Sequence, residues 1–211
     1  MKRRTMLAYA AGMTATAAVA LPGRAAAAAT DPADRRVLLV GANPGVSLVR
    51  GEELSAFASV WIVRWSERGS GRAVVVWHDG RVQVLATDRE LGYWLSQYFT
   101  RNFPEVAGVP WPEPEVRRAD VEVTLDLATG LDARARDVRV RMGGVLHRRT
   151  FSTDDFDLAG TAHSLSLVLA PMRTAAITVG GRALPGEVQL GGTPERPGSS
   201  AFLAEAEVWR V

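Results

Sequence analysis

Short apolar runs recur along the chain between Gly, Pro, Asn and Asp, the punctuation of many short strands. Runs at 37–40, 46–49, 58–65 and 73–77 are followed, across Asp79-Gly80, by one at 82–85. Asp-Gly between apolar runs signals a two-residue hairpin, because a type I′ turn needs positive φ at both central positions. Trp61, Val63 and Trp65 alternate within their run, which predicts that all three share one buried side. Further on, Val121, Val123, Leu125 and Leu127 alternate with Asp120, Glu122, Thr124 and Asp126, and Val138, Val140 and Met142 alternate with Arg139 and Arg141. Placed side by side as an antiparallel pair, these two segments set acids against arginines across a solvated face, each pair contributing about 0.2–1 kcal/mol. The remaining runs are 145–151, 165–169, 175–179, 187–190 and 202–211, with Gly-Gly breaks at Gly180-Gly181 and Gly191-Gly192.

One segment has a different period. Leu91, Trp94, Leu95, Tyr98 and Phe99 fall at i, i+3, i+4, i+7 and i+8, which predicts an amphipathic helix over about 88–103. Thr87 and Glu90 have capping-box spacing, and Pro104 ends the helix. Residues 104–114 hold four prolines and Trp111 and read as a stiff extended connector. Many strands with one helix predict a mainly β protein, an antiparallel β-sandwich or β-barrel with the helix packed on the sheet. The strands from 37 to 211 form a single β-rich domain, preceded by a flexible lead-in at 30–36.

The first 29 residues have another character. Lys2, Arg3 and Arg4 precede an alanine-rich apolar stretch and then the small residues Ala25 to Ala29, the three-part layout of a cleavable signal peptide. Arg3-Arg4-Thr5-Met6-Leu7 resembles the twin-arginine export signal, and Arg24 resembles the basic residue found before its cleavage site. Lys2, Met6 and Ala8 depart from the usual residues, so ordinary Sec export also fits. The resemblance implies a secreted or extracytoplasmic protein that meets signal peptidase and a twin-arginine or Sec translocase. The apolar stretch is shorter than the roughly 20 residues of a membrane span, so no permanent anchor is expected.

Removing the leader changes the charge balance. The 211-residue chain carries a formal +2, but four of its 25 basic residues lie in the leader, leaving 21 against 23 acids. Without overall basic character, nucleic acid is not expected as a partner. Lys2 is the only lysine and there is no cysteine, so the processed chain has no Schiff-base lysine, phosphate-loop lysine, disulfide, thiolate metal site or cysteine nucleophile. No cofactor is expected.

No nucleophile elbow, phosphate loop or His-Glu-x-x-His motif is present. His78, His147 and His163 lie in separate segments and read as independent residues rather than a zinc set. Asp154, Asp155 and Asp157 cluster in what reads as a solvated turn, without EF-hand spacing for calcium. In the last run, Phe202, Ala204, Ala206 and Val208 are expected to face the core, with Leu203, Glu205, Glu207 and Trp209 on the other face. Two carboxylates beside an indole suit a sugar. Carboxylates on one strand point the same way, however, whereas glycosidase acids flank the scissile bond. Trp111, held between prolines, is expected to pin the connector or cover a pocket mouth. Trp111, Glu205, Glu207 and Trp209 are therefore the candidate ligand-binding residues of an exported domain that takes a small apolar or carbohydrate ligand. The alternatives are a hydrolase or lyase using Glu205, Glu207, His78 and Asp155, and a structural or chaperone-like interaction protein; no catalytic residue is assigned.

Overall fold

The computed structural model describes residues 36–210, so the leader and most of the lead-in lie outside the described residues. The protein is mainly β, 65% strand and 10% helical. A sheet of 13 strands follows a main path from β6 (Glu115–Arg118) through β5 (Arg81–Ala86), β4 (Gly71–His78), β3 (Glu53–Ser66) and β1 (Arg36–Ala42). It continues through β15 (Ala201–Arg210), β11 (Thr161–Val179), β9 (Val138–Val145) and β8 (Gly130–Ala135) to β7 (Val121–Asp126). β2 (Gly45–Arg50), β10 (Arg149–Leu158) and β12 (Arg182–Ala183) join its flanks, and β13 (Leu190–Gly192) pairs separately with β14 (Pro197–Ser199). Neighbours are antiparallel except β5 and β6, which run parallel. The helix and the proline-rich connector between them supply the crossover that a parallel pair requires.

β11 bends the sheet back on itself. Its first half, His163 to Pro171, pairs with β15, and its second half, Met172 to Val179, pairs with β9. The two ends of the path, β6 and β7, are consecutive in the chain and joined through Ala119 and Asp120. Val74, Val76 and Leu85 from one end therefore share an apolar interior with Val121, Ala133, Val140, Met172 and Ile177 from the other. Burial of these side chains, each contributing about 1.5–3 kcal/mol when fully removed from water, drives the curling.

The opposite face of β3, β4 and β5 has its own cover. Phe57, Trp61, Val63, Val75 and Val84 pack beneath Leu91, Leu95, Phe99 and Val106. This is the amphipathic segment at its predicted place: α1 (Arg89–Trp94) continues through a wide turn at Leu95–Phe99 and a tight turn at Thr100–Asn102. Trp61 Nε1 donates to Thr100 Oγ1 (3.3 Å), and that hydroxyl donates to the Leu95 carbonyl (3.1 Å), so the sheet fastens the widened turn. Gly92 sits where α1 presses on β5; a Cβ there would lie 2.6 Å from the Ala86 Cβ. Phe103 adopts an extended conformation before Pro104, as the proline ring requires.

Several local expectations need correction. Asp88 rather than Thr87 caps α1, its carboxylate accepting from Leu91 N (2.8 Å), while Thr87 Oγ1 accepts from Arg72 N across the sheet. Residues 120–127 and 138–142 are not neighbours, because β8, whose alternation rests on one leucine and two alanines, lies between them and pairs with both. The acid–arginine pairing survives in altered form, since Asp132 of β8 binds Arg139 and approaches Arg134 at 3.6 Å. Residues 146–148 interrupt the run at 145–151, and Asp154, Asp155 and Asp157 lie in β10 rather than in a turn, the first two at a bulge and Asp157 paired beyond it with Ala162. Gly191-Gly192 lies within β13, whereas Gly180-Gly181 and Asp79-Gly80 have positive φ at both positions, as two-residue hairpins require. The connector begins with a helical turn at Pro104–Val106 before it extends.

Candidate functional site

The feature that organises the open part of the sheet is a bulge in β3. Gly41 pairs with Val63, but Val40 pairs with Trp65, so Arg64 is the extra residue and Trp65 turns to the face opposite Val63. Trp61 and Val63 stay buried beneath the helix, while Trp65 is 49% exposed on the other side. Gly41 makes this possible, since a Cβ there would lie 2.2 Å from the Ile62 carbonyl oxygen. The expectation that Trp61 and Trp65 share a side fails for this reason.

The strand register then shows which residues surround Trp65. One row across the sheet reads Trp65, Val40, Glu207 and Ser166; the next reads Arg72, Ile62, Ala42, Glu205 and Val168. Trp209, beside Val37 and Ser164, lies two residues beyond Glu207 and shares its face. From strand spacing and rise, Trp65 and Trp209 stand on the order of 12 Å apart at Cα. Glu205, Glu207 and Trp209 are thus brought together as one face, with Trp65 added. Leu203, expected on that same face, does lie there, but further along it enters the apolar interior and is fully buried.

Glu205 is held by the Arg64 guanidinium that the bulge supplies, and Glu207 is exposed. At the rim, Arg210 donates to Glu67 (2.7 Å). Such exposed pairs contribute at most about 1 kcal/mol each, so they position side chains more than they stabilise the fold.

The other candidates lie elsewhere. Trp111 packs at the edge of the helix-covered core, on the opposite face of the sheet; its Nε1 is buried and meets no acceptor among the described residues. Beside it, Trp77 Nε1 donates to the Pro110 carbonyl (2.9 Å), so the connector is fastened to the sheet at this point. His78, paired with Asp79 at 3.2 Å, sits opposite Ala56, six residues along β3 from Ile62, or about 20 Å from the Glu205 row. His163 is buried, with Nδ1 2.9 Å from the Thr161 carbonyl and its ring against Tyr98. His147 is exposed in the break between β9 and β10. Asp155 lies at the β10 bulge, where its backbone N donates to Thr153 Oγ1. No group of three or more His, Cys, Asp or Glu residues able to hold a metal ion occurs among the described residues.

Asp132 and Tyr93 are two of the four described groups, with Glu105 and Arg139, that titrate away from their ordinary values. A hydrogen bond from Arg139 holds the Asp132 carboxyl below the usual carboxylate range, and a hydrogen bond to Glu113, aided by its charge, raises the Tyr93 phenol. The best-formed depressions are open and polar: one of about 430 Å³ lined by Arg118, Ala119, Asp120 and Arg136, and one of about 140 Å³ lined by Glu122, Thr124, Asp132 and Arg134. Among the described residues, no helix is long and apolar enough to cross a membrane. Comparison of the chain with protein-family models, curated proteins and solved structures finds no match.

Proposed function

We propose that this is an exported β-domain that binds carbohydrate on the open face carrying Trp65, Glu205, Glu207 and Trp209. The observation that carries the reading is the half-exposed Trp65, which the β3 bulge turns out of the core and into the row of Glu207. An indole offers a flat apolar surface suited to the C–H face of a sugar ring, and the neighbouring carboxylates accept hydrogen bonds from sugar hydroxyls. A second indole about 12 Å away suits an extended oligosaccharide better than a single small ring. A small apolar ligand within the curled sheet is less well supported, because Val60, Val74, Met172, Ile177 and Leu203 fill that interior. Hydrolysis is less well supported too, because Glu205 is committed to Arg64 and shares one strand face with Glu207 rather than facing it across a cleft.

The test is binding of the processed chain, residues 30–211, to a panel of polysaccharides, followed by Trp65→Ala and Trp209→Ala on any that bind. Trp65→Ala is expected to weaken binding roughly 10- to 30-fold, the scale of a central aromatic contact, while the melting temperature of this half-exposed position changes little. Absence of binding across the panel, or binding unaffected by both substitutions, would overturn the proposal.

A further inference from the structure

A second feature lies at the corner where β6 passes into β7. There the chain makes the 430 Å³ depression lined by Arg118, Ala119, Asp120 and Arg136. Arg136 occupies the tight turn between β8 and β9 with φ of 50°, and its Nη2 donates to the Arg118 carbonyl (3.1 Å). Arg72 adjoins the corner from β4, its Nη1 donating to the Val121 carbonyl (3.3 Å). Backbone carbonyls three residues apart thus pin two guanidiniums, and Arg118 lines the depression beside them.

Among the described residues none of these three arginines has a carboxylate within ion-pair distance, whereas Arg64, Arg117, Arg134, Arg139 and Arg210 all do. Asp120 lines the depression with them, and Asp137 follows Arg136 in the same turn. A guanidinium presents five N–H donors, and a single bond to a carbonyl leaves most of them free. Planar donors held by the backbone match oxyanions well, because less side-chain freedom is lost on binding.

We propose that this corner binds an oxyanion group, sulfate, phosphate or carboxylate, with Arg118 and Arg136 as its ligands, Arg72 reinforcing the positive field and Asp120 limiting it. Its two ligands, Arg118 and Arg136, lie outside the Trp65 face, which it meets only through Arg72 at the end of the Glu205 row, so either can fail alone. Because the arginines are exposed, binding weakens with salt and must be measured at low ionic strength.

The experiment is titration of the processed chain with inorganic sulfate, inorganic phosphate, a uronic-acid oligosaccharide and a sulfated oligosaccharide, against chloride at matched ionic strength. Saturable binding of at least one is expected. Arg118→Gln and Arg136→Gln should each weaken it roughly tenfold or more, the scale of a hydrogen bond to a charged group. Asp120→Asn should strengthen it, and Arg134→Gln, at a paired arginine, should leave it unchanged. Oligosaccharides binding at least tenfold more tightly than the inorganic ions identify a glycan as the source of the anion; equal affinity identifies the free ion. No saturable binding, or binding unchanged in the Arg118→Gln/Arg136→Gln double variant, overturns the site. Neutral polysaccharide bound through Trp65 with no anion effect overturns this inference alone.

Discussion

Replacing Gly92 by alanine sets two effects of opposite sign against each other. In an isolated helix the change is favourable by about 1 kcal/mol, because glycine has more backbone freedom to lose. Here the added methyl carbon would lie 2.6 Å from the Ala86 Cβ and 3.1 Å from Val84 Cγ1. The Ala86 Cβ belongs directly to the backbone of β5 and cannot rotate aside, so α1 must retreat from the sheet and loosen the packing of Leu91 and Leu95. Overpacking of this kind costs about 1–3 kcal/mol, and the rigidity of the obstacle places it at the upper end. The net expectation is destabilisation by about 2 kcal/mol, a fall in melting temperature of about 4–8 °C for a domain of this size. The assay is thermal and urea unfolding of the wild type, Gly92→Ala, Ala86→Gly and the double variant. Ala86→Gly alone loses a methyl group and stiffens the strand less, yet it removes the obstacle, so the pair should couple favourably by about 1–2 kcal/mol. A Gly92→Ala protein as stable as the wild type or more so, or additive single effects, would refute the steric argument.

Two further outcomes concern charged and phenolic groups. Since Arg139 lowers the Asp132 carboxyl, the stability this pair adds is present above the ordinary carboxylate pKa and fades as pH falls through the lower folded value. The difference in stability between wild type and Asp132→Asn should therefore be at most about 1 kcal/mol at neutral pH, shrink in acid and shrink with added salt, as urea unfolding across pH would show. Because Glu113 raises the Tyr93 phenol, Glu113→Gln should move phenolate formation to lower pH in an ultraviolet absorbance titration, and an unchanged curve would refute the contact.

Regular periods carried most of the fold. Leu91, Trp94, Leu95, Tyr98 and Phe99 could bury one stripe only as a helix, and all five pack on the helix-covered core. Val121, Val123 and Leu125 likewise point inward as their alternation requires. What escaped the pattern were places where a strand's alternation is faint, wholly polar or broken. β8, with Gly130, Asp132 and Arg134 alternating with two alanines and one leucine, offers too little apolar contrast to announce itself. β10 places three aspartates in a strand because it has one neighbour, so most of its side chains remain in water. The last strand is only partly legible. Its solvent face follows the alternation of Glu205, Glu207 and Trp209, but the sheet is covered on opposite faces at its two ends, so Leu203 and Val208 are both buried.

The same reasoning explains why the candidate site was half visible. A strand period is 2, so one inserted residue exchanges the faces of everything beyond it. Arg64 is that residue in β3, and its effect cannot be read from Trp61, Val63 and Trp65 because their spacing is regular. The information resides in the neighbouring strand, at Gly41, where the missing side chain lets the Ile62 carbonyl approach. Had β3 run without the bulge, Trp65 would join Trp61 and Val63 beneath the helix, while Arg64, two residues beyond Ile62, would still face the Glu205 row. With it, one residue both supplies the partner of Glu205 and delivers an indole beside Glu207. The open face is thus a product of two strands read together, and its most exposed aromatic is the residue that single-strand alternation assigns to the core.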